Sequence, residues 1–310
     1  MLVLLSFALF GFDEIATRQI ELLPHWEKGD AFSLTITRAR EKFADGTSTI
    51  SGKTRTDFRL EVLQAGEGGY LVGWTAGETT FEISPPPESL LRHVVGLMKG
   101  MQIVLQIDPH GTITGVSNCK ELRTEMRKVM DTLLAKTPET EKETASRTLL
   151  SNIRTQWDTM FSTKEQIEQL CTRDAKTYFM VLGRHYALNK QYESPDHLPN
   201  PLGGEPFPSR TTMELTTFDT SSGQATLTRH QKTDPQQASR ILKSMAKEMS
   251  AHQGKQLPEG AFTKTIAIED HTDIIVNVRT GWVTKLTRVQ SVHLGTRGQT
   301  DTTSIVRSVP

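Results

Sequence analysis

Alternation of apolar and polar residues recurs along most of the chain and constrains its fold more than any other feature. Beginning at Gly29 the chain reads GDAFSLTITRAREKF, in which Phe32, Leu34 and Ile36 alternate with polar neighbours. A side-chain period of two is typical of a β-strand with one buried face. The same pattern recurs in DFRLEVLQA, GGYLVGWTAGETTFEI, SRTTMELTTFD, TDIIVNV and GWVTKLTRVQSV. We therefore predict antiparallel β-sheet, because antiparallel strands commonly keep one face in water.

Two glycine turns suggest that the chain is built twice on one plan. The stretches IDPHGTITGV (107–116) and NVRTGWVTKL (277–286) each place a hydrophobic residue two positions, and a threonine three positions, after the turn glycine. Gly111 and Gly281 supply a backbone that tolerates positive φ where one strand folds back on the next. The predicted fold class is α+β, with two similar halves of curved antiparallel β-sheet, short covering helices and a helical insertion in the first half. Strand–turn–strand patterns are common, so a chance match is the alternative.

Shifts in composition divide the chain into four parts. Residues 1–12 form a signal-like apolar segment, and 13–194 form the first β-rich half, with the helical insertion at 118–172. A passage rich in proline and glycine at 195–208 is predicted to be a linker, or alternatively a binding segment in extended conformation. Residues 209–310 form the second β-rich half.

The N-terminal stretch MLVLLSFALFGF carries no charge and is followed at once by Asp13 and Glu14. An apolar core followed by a polar start is typical of a secretory signal, although a basic n-region is missing. We therefore expect an exported protein, periplasmic or extracellular, that touches a membrane only through this segment if it is not cleaved. A buried first strand or helix is the alternative.

Export would permit a disulfide between the two cysteines of the chain, Cys119 and Cys171. They lie at the first residue of the predicted first helix of the insertion and near the end of its last helix, which Thr163 and Gln166 are predicted to cap. A bridge there would clamp the base of the insertion and stabilise it by roughly 4 kcal/mol. Two buried free thiols are the alternative.

Charge excludes some partners. The chain has 36 Lys and Arg residues and 36 Asp and Glu residues, so no net field attracts nucleic acid. A spanning helix would need roughly 18 consecutive apolar residues, and no stretch reaches that length. We expect no nucleic-acid partner and no integral membrane helix.

Motifs for catalysis are missing: the chain has no GxSxG, HExxH, phosphate-binding GxxxxGK[ST] or GxGxxG pattern. We therefore predict no catalytic residue and no cofactor. The stretch EDHTD forms a weak candidate polar cluster of Glu269, Asp270, His271 and Asp273, in which alternation would place His271 and Asp273 on one side to share a metal. A polar hairpin turn is the alternative.

Trp282, directly after Gly281, is a candidate for the mouth of a pocket, or else a core residue.

Three short motifs carry a resemblance: G-D-x-F at 29–32, Asp-x-x-Gly-x-Ile at 108–113, and the passage from NPLGG to PFP. In these motifs the chain resembles an uncharacterised family of exported bacterial β-rich proteins of unknown function. The resemblance implies export and a β-rich fold, and it implies no activity and no site residue.

We therefore predict a non-catalytic exported binding protein, such as a carrier of an apolar small molecule or an envelope-derived ligand, with an envelope protein as another partner. A curved sheet covered by helices can form a pocket for such ligands. The alternatives are a hydrolase with a site assembled from distant residues, and a structural or interaction protein of the cell envelope.

Overall fold

A computed structural model describes residues 19–82, 96–136, 154–155, 161–198, 205–252 and 266–308. The signal-like segment lies outside these residues. So does part of the predicted helical insertion at 118–172. The elements, in chain order, are β1 (Gln19–Leu22), β2 (Ala31–Ala44), β3 (Thr47–Gly66), β4 (Gly69–Phe81), β5 (Gln102–Ile107), β6 (Ile113–Val116), α1 (Cys119–Lys136), α2 (Lys164–Cys171), α3 (Arg173–Tyr178), β7 (Arg184–Ala187), β8 (Gln191–Leu198), β9 (Phe207–Asp219), β10 (Gln224–Thr233), α4 (Pro235–His252), β11 (Ile266–Asn277), β12 (Val283–Leu294) and β13 (Arg297–Ser308).

Eleven strands form one open antiparallel sheet in the order β6-β5-β4-β3-β2-β13-β12-β11-β10-β9-β8. Strands β1 and β7 form a separate antiparallel pair. The protein is therefore mostly β, with a large antiparallel sheet and few helices. At the centre of the sheet, β2 pairs with β13, from Ser33 opposite Ser308 to Ala44 opposite Arg297.

The sheet consists of two consecutive meanders joined by this central pair. Strands β2–β6 form one meander and β8–β13 form the other. In chain order, each glycine turn connects the fourth and fifth strands of its meander, and α4 precedes the fourth strand of the second meander. The meanders differ in length, with five and six strands.

An Asp or Asn side chain holds each glycine turn. The carboxylate of Asp108 accepts hydrogen bonds from the backbone N–H groups of His110 and Thr112. The side-chain carbonyl of Asn277 accepts hydrogen bonds from the N–H groups of Arg279 and Thr280. Such local bonds stabilise turns.

One face of the sheet, here called the inner face, packs against helices α1–α3, the segment 178–187 and the chain before β2. The alternation predicted from the sequence produces this burial, because Leu34, Leu227 and Ile274 all point to the same side. Aromatic rings fill the centre of the core. Trp26 stacks on Trp282 with ring centroids 4.1 Å apart, and Phe32 meets the edge of Trp282.

A smaller apolar cluster lies at the other end of the inner face. There α4 covers β8, β9 and β11 through Ala238, Leu198, Phe207 and Ile268. Asp234 caps this helix by accepting hydrogen bonds from the N–H groups of Gln236 and Gln237.

The predicted linker requires correction. Its ends belong to β8 and β9, which pair from Gln191 opposite Glu214 to Leu198 opposite Phe207. Both ends of the passage are therefore strands of one sheet and do not separate two units. Pro195 lies in β8, the edge strand, where a missing N–H is tolerated.

Candidate functional site

A polar belt crosses the inner face between its two apolar clusters. One row of directly opposed residues runs over six neighbouring strands, and we call it the arginine row: Arg229, Thr272, Arg288, Thr303, Arg38 and Thr54. The adjacent row consists of Gln231, Asp270, Gln290, Asp301, Arg40 and Gly52. Arginines thus recur on every second strand of the first row, and carboxylates lie in the second.

Asp270 is the most deeply buried charge of the belt, with no exposed side-chain surface. Its carboxylate accepts hydrogen bonds from Nε and Nη2 of Arg288 and from the hydroxyl of Thr272. Nη1 of Arg229 lies 3.9 Å from the same carboxylate. A buried carboxylate requires partners of this kind, because desolvation is otherwise costly.

Arg229 continues the network to the edge strand. Its Nη2 lies 3.2 Å from a carboxylate oxygen of Asp196 and donates to the side-chain carbonyl of Gln231. Partial burial opposes ionisation of Asp196, yet hydrogen bonds from the His197 N–H and the Thr211 hydroxyl, together with Arg229, hold its pKa below the usual value. At this end of the belt the guanidinium of Arg229 is therefore already engaged by Asp196 and Gln231.

The other end of the belt opens into a cleft of about 550 Å³ between α3 and the sheet. Its walls are Arg38, Ala39, Arg40, Gly52, Thr54, Leu170, Arg173, Asp174, Thr177, Arg288, Gln290, Asp301, Thr302, Thr303 and Ile305. Four of these residues are arginines and two are aspartates, so the lining is positively charged.

Two exposed ion pairs line the cleft. Arg38 on β2 contacts Asp174 on α3 at 2.5 Å, which links the sheet to the helix that covers it. Arg40 contacts Asp301 at 2.6 Å. Arg173 is exposed, and within the described part of the chain no carboxylate pairs with it. Leu170, with 47% of its surface exposed, adds an apolar contact at the rim.

A larger groove, of about 820 Å³, lies along β8, β9, β10 and the start of α4. Its charged lining is balanced, with Arg210 and Lys232 against Glu193 and Asp234, and Arg210 lies 3.6 Å from Glu193. Asp234, also in its wall, caps α4. The smaller cleft has the stronger excess of one charge and is the candidate site.

The predicted polar cluster EDHTD is divided by the sheet. These residues lie within β11 and not in a turn. Glu269, His271 and Asp273 point to the outer face, where His271 lies 3.3 Å from Asp273, whereas Asp270 points inward. Burial and the nearby Lys232 lower the pKa of His230, which lies opposite His271. Within the described residues, no group of three or more His, Cys, Asp or Glu side chains could hold a metal ion.

Trp282 does not line a cavity mouth. It is 3% exposed and lies in the aromatic core beside Trp26 and Phe32. Its ring is held by the turn of Gly281, which packs against the backbone of Leu23 and Pro24.

The predicted disulfide is not formed, and Cys119 and Cys171 are free thiols. Cys119 begins α1 and its thiol donates a hydrogen bond to the carbonyl of Val116, while Cys171 ends α2. Burial raises the pKa of Cys171 to about 11, and Cys119 adds to this effect. The predicted capping box of Thr163 and Gln166 at the start of α2 is confirmed.

The arginine row was missed in the sequence, although a signal for it exists. An aliphatic residue, a threonine and an arginine recur as ITR (36–38), LTR (227–229) and LTR (286–288). Period-two alternation places each arginine on the same face as the buried aliphatic residue two positions before it. Three such triplets, on three of the long strands, indicate arginines on the inner face.

Comparisons with known proteins find similarity only among solved structures. No protein-family profile matches the chain, and no curated protein matches it. Nine chains of solved structures match. One of them, from work on lipid–protein interactions in lipovitellin, aligns with 92% of this chain at 5% sequence identity and a TM-score of 0.45. The alignment spans 26% of that lipovitellin chain. None of the helices in the described residues is long and apolar enough to cross a membrane.

Proposed function

We propose that the protein is a non-catalytic exported binding protein that holds a ligand with an anionic group in the cleft between α3 and the inner face of the sheet. One observation carries the proposal, namely the excess of arginines over carboxylates in a cleft of about 550 Å³. Pockets of roughly 300–1,000 Å³ are typical for small ligands.

The chemistry of the lining favours binding over proton transfer. A guanidinium group keeps its charge at every pH at which proteins are folded, and its planar fork of N–H donors matches carboxylate and phosphate oxygens. Arg173, exposed and without an ion pair in the described residues, offers such a group at the entrance. Arg38 and Arg288 offer two more along the sheet.

An envelope-derived amphiphile is compatible with this lining. Leu170 and Ile305 give the cleft an apolar component beside its arginines. A purely apolar molecule would take water from these charged groups and add no hydrogen-bond partner, which is unfavourable for Arg173 above all. We therefore extend the carrier hypothesis to a ligand with an anionic group and an apolar part.

The direct test compares two variants of α3. Arg173→Gln removes a cation from the cleft, and Lys176→Gln removes a cation from an exposed position of the same helix outside the lining. Calorimetric titration of the full chain with inorganic phosphate and with an anionic detergent should show weaker binding for Arg173→Gln and unchanged binding for Lys176→Gln. If neither probe binds the wild-type chain, or if both variants bind as the wild type does, the proposal is wrong.

Two sources could supply the anionic group, a lipid headgroup or a free anion. Native mass spectrometry of the chain purified from an exporting host separates them, because a co-purified lipid adds a mass that organic extraction removes. Titration with vesicles of anionic or zwitterionic lipid gives the second comparison. Binding to anionic vesicles alone indicates a lipid source, and binding to free phosphate alone indicates a soluble anion.

We also propose that the two meanders arose by duplication. Both glycine turns connect the fourth and fifth strands of their meanders, which supports this. A nearby side chain also accepts turn N–H groups in each, although Asp108 lies three residues before Gly111 and Asn277 lies four before Gly281. The unequal strand numbers require that the copies diverged at their ends. Superposition of β2–β6 on β8–β12 that failed to align Gly111 with Gly281 would contradict a common origin.

A further inference from the structure

We propose that the cleft selects ligands that carry two anionic groups about 10 Å apart, because neighbouring strands lie roughly 4.8 Å from each other and two arginines of the cleft are separated by one strand. This inference rests on the proposed function and specifies its ligand. It depends on the juxtaposition of Arg288 and Arg38 on either side of Thr303.

The register of the sheet fixes this juxtaposition. Arg288 on β12 lies opposite Thr303 on β13, and Thr303 lies opposite Arg38 on β2. All three residues line the cleft and belong to the same face of the sheet. Because β12, β13 and β2 pair without interruption around these residues, the distance between the two arginine backbones cannot change without breaking the centre of the sheet.

The two arginines differ in how firmly they are held. Nε of Arg288 donates to the fully buried carboxylate of Asp270 at 2.7 Å, and Nη2 donates to the same oxygen. The remaining N–H groups of this guanidinium can serve another acceptor, since arginine has five. Arg288 therefore presents a preoriented site for one anionic group.

Arg38 is the adjustable partner. In its ion pair with Asp174, the Arg38 side chain is 40% exposed and the Asp174 side chain is 37% exposed. Exposed ion pairs contribute little free energy, so a ligand anion can replace Asp174 at small cost. Thr303 lies between the two arginines in the sheet and lines the cleft, so its hydroxyl can bind the part of the ligand that connects the anionic groups.

Repetition across the sheet supports the same preference. Arg229 stands two strands beyond Arg288 in the arginine row, but its guanidinium is engaged by Asp196 and Gln231 and does not line the cleft. The accessible part of the row is thus a pair of cations and not an extended track. A compact ligand with two anionic groups fits this pair better than a long polyanion.

The test uses α,ω-alkane bisphosphonates of increasing chain length, with the alkane monophosphonate of each length as its partner compound. Titration of the full chain should show tightest binding for the bisphosphonate whose end groups are about 10 Å apart. It should exceed the matching monophosphonate by at least on the order of tenfold, as expected when a second contact becomes intramolecular.

Arg38→Gln should reduce the affinity for this bisphosphonate to that of the monophosphonate. The control is Arg59→Gln, which removes the same charge from the outer face of the neighbouring strand β3, where Arg59 pairs with Glu61. This control should leave both affinities unchanged. A folded-state check by circular dichroism accompanies each variant.

The outcomes separate the two proposals. Equal affinity for monophosphonates and bisphosphonates in the wild-type chain overturns the two-group inference and leaves the anion-binding proposal intact. An affinity that rises with chain length without a maximum, or that Arg38→Gln does not change, also overturns it. If no phosphonate binds, both proposals fail.

Discussion

Asp270 and Arg288 form an ion pair across neighbouring strands, in which the carboxylate has no exposed surface, the arginine side chain is 24% exposed, and the carboxylate accepts from two nitrogens of the guanidinium. We predict that Asp270→Asn destabilises the fold by about 2–4 kcal/mol, because Arg288 would keep its charge without a carboxylate and Arg229 would keep only Asp196. Chemical denaturation measures the change. Asp273→Asn, on the exposed face of the same strand, should change stability by less than about 1 kcal/mol. Equal effects of the two substitutions would show that the carboxylate of Asp270 is not buried as described.

Two glycines with positive φ give a second prediction, which distinguishes backbone strain from steric contact. Gly281 has φ +73°, and an added Cβ would lie 2.4 Å from the carbonyl oxygen of Leu23. Gly29 has φ +96°, with no heavy atom within 4 Å of such a Cβ. Gly29→Ala should therefore cost about 1 kcal/mol from backbone strain alone.

Gly281→Ala should cost clearly more, because the new methyl group must also displace the chain before β2. Thermal denaturation of the two variants under identical conditions gives the comparison. A smaller loss of stability for Gly281→Ala than for Gly29→Ala would contradict the packing of this turn against Leu23.

Thiol chemistry provides a third prediction. The raised pKa of Cys171, about 11, leaves on the order of one thiolate per thousand molecules at pH 8. Iodoacetamide should therefore modify Cys171 slowly in the folded Cys119→Ser variant and rapidly in denaturant. Mass spectrometry over time gives both rates. Rapid modification in the folded state would mean that α2 exposes its last residue.

Acid stability gives a fourth prediction. Hydrogen bonds from the hydroxyl groups of Ser222 and Ser221, and from the N–H of Ser221, lower the pKa of Asp219 to about 2. Because the pKa is lower in the folded state, this carboxylate stabilises the fold above its unfolded pKa of about 3.9, and the contribution disappears as the pH falls towards 2. NMR titration of Asp219 should give its low pKa directly. Asp219→Asn should remove this part of the decline in stability below about pH 4, and an unchanged decline would exclude it.

The strands of this protein could be predicted from sequence because burial on one face leaves a direct trace in side-chain alternation. Phe32, Leu34 and Ile36, proposed to face the core, are buried. The pairing of the two ends of the chain has no such signal in the sequence. Nothing local in SVHLGTRGQTDTTSIVRSV indicates that β13 pairs with β2, since that pairing depends on contacts between the two ends of the chain.

The candidate site was hidden for a related reason. Arg38, Arg288 and Asp174 come together from three separate parts of the chain, and each appears by itself as a solvent-exposed charge. Alternation correctly implied that His271 and Asp273 share a face. It could not reveal that Asp270, between them in sequence, would be the carboxylate around which the inner arginines are arranged.

The central pairing of β2 with β13 makes the order of synthesis important. The first meander can form while the chain emerges from the ribosome. Its edge strand β2 stays unpaired on one side until residues 297–308 have been made. Pairing between such distant segments is slow, because a very long loop must close first. Each newly made molecule therefore passes through a period in which two unpaired strand edges can pair with other chains, and deletion of β13 would make that vulnerability permanent.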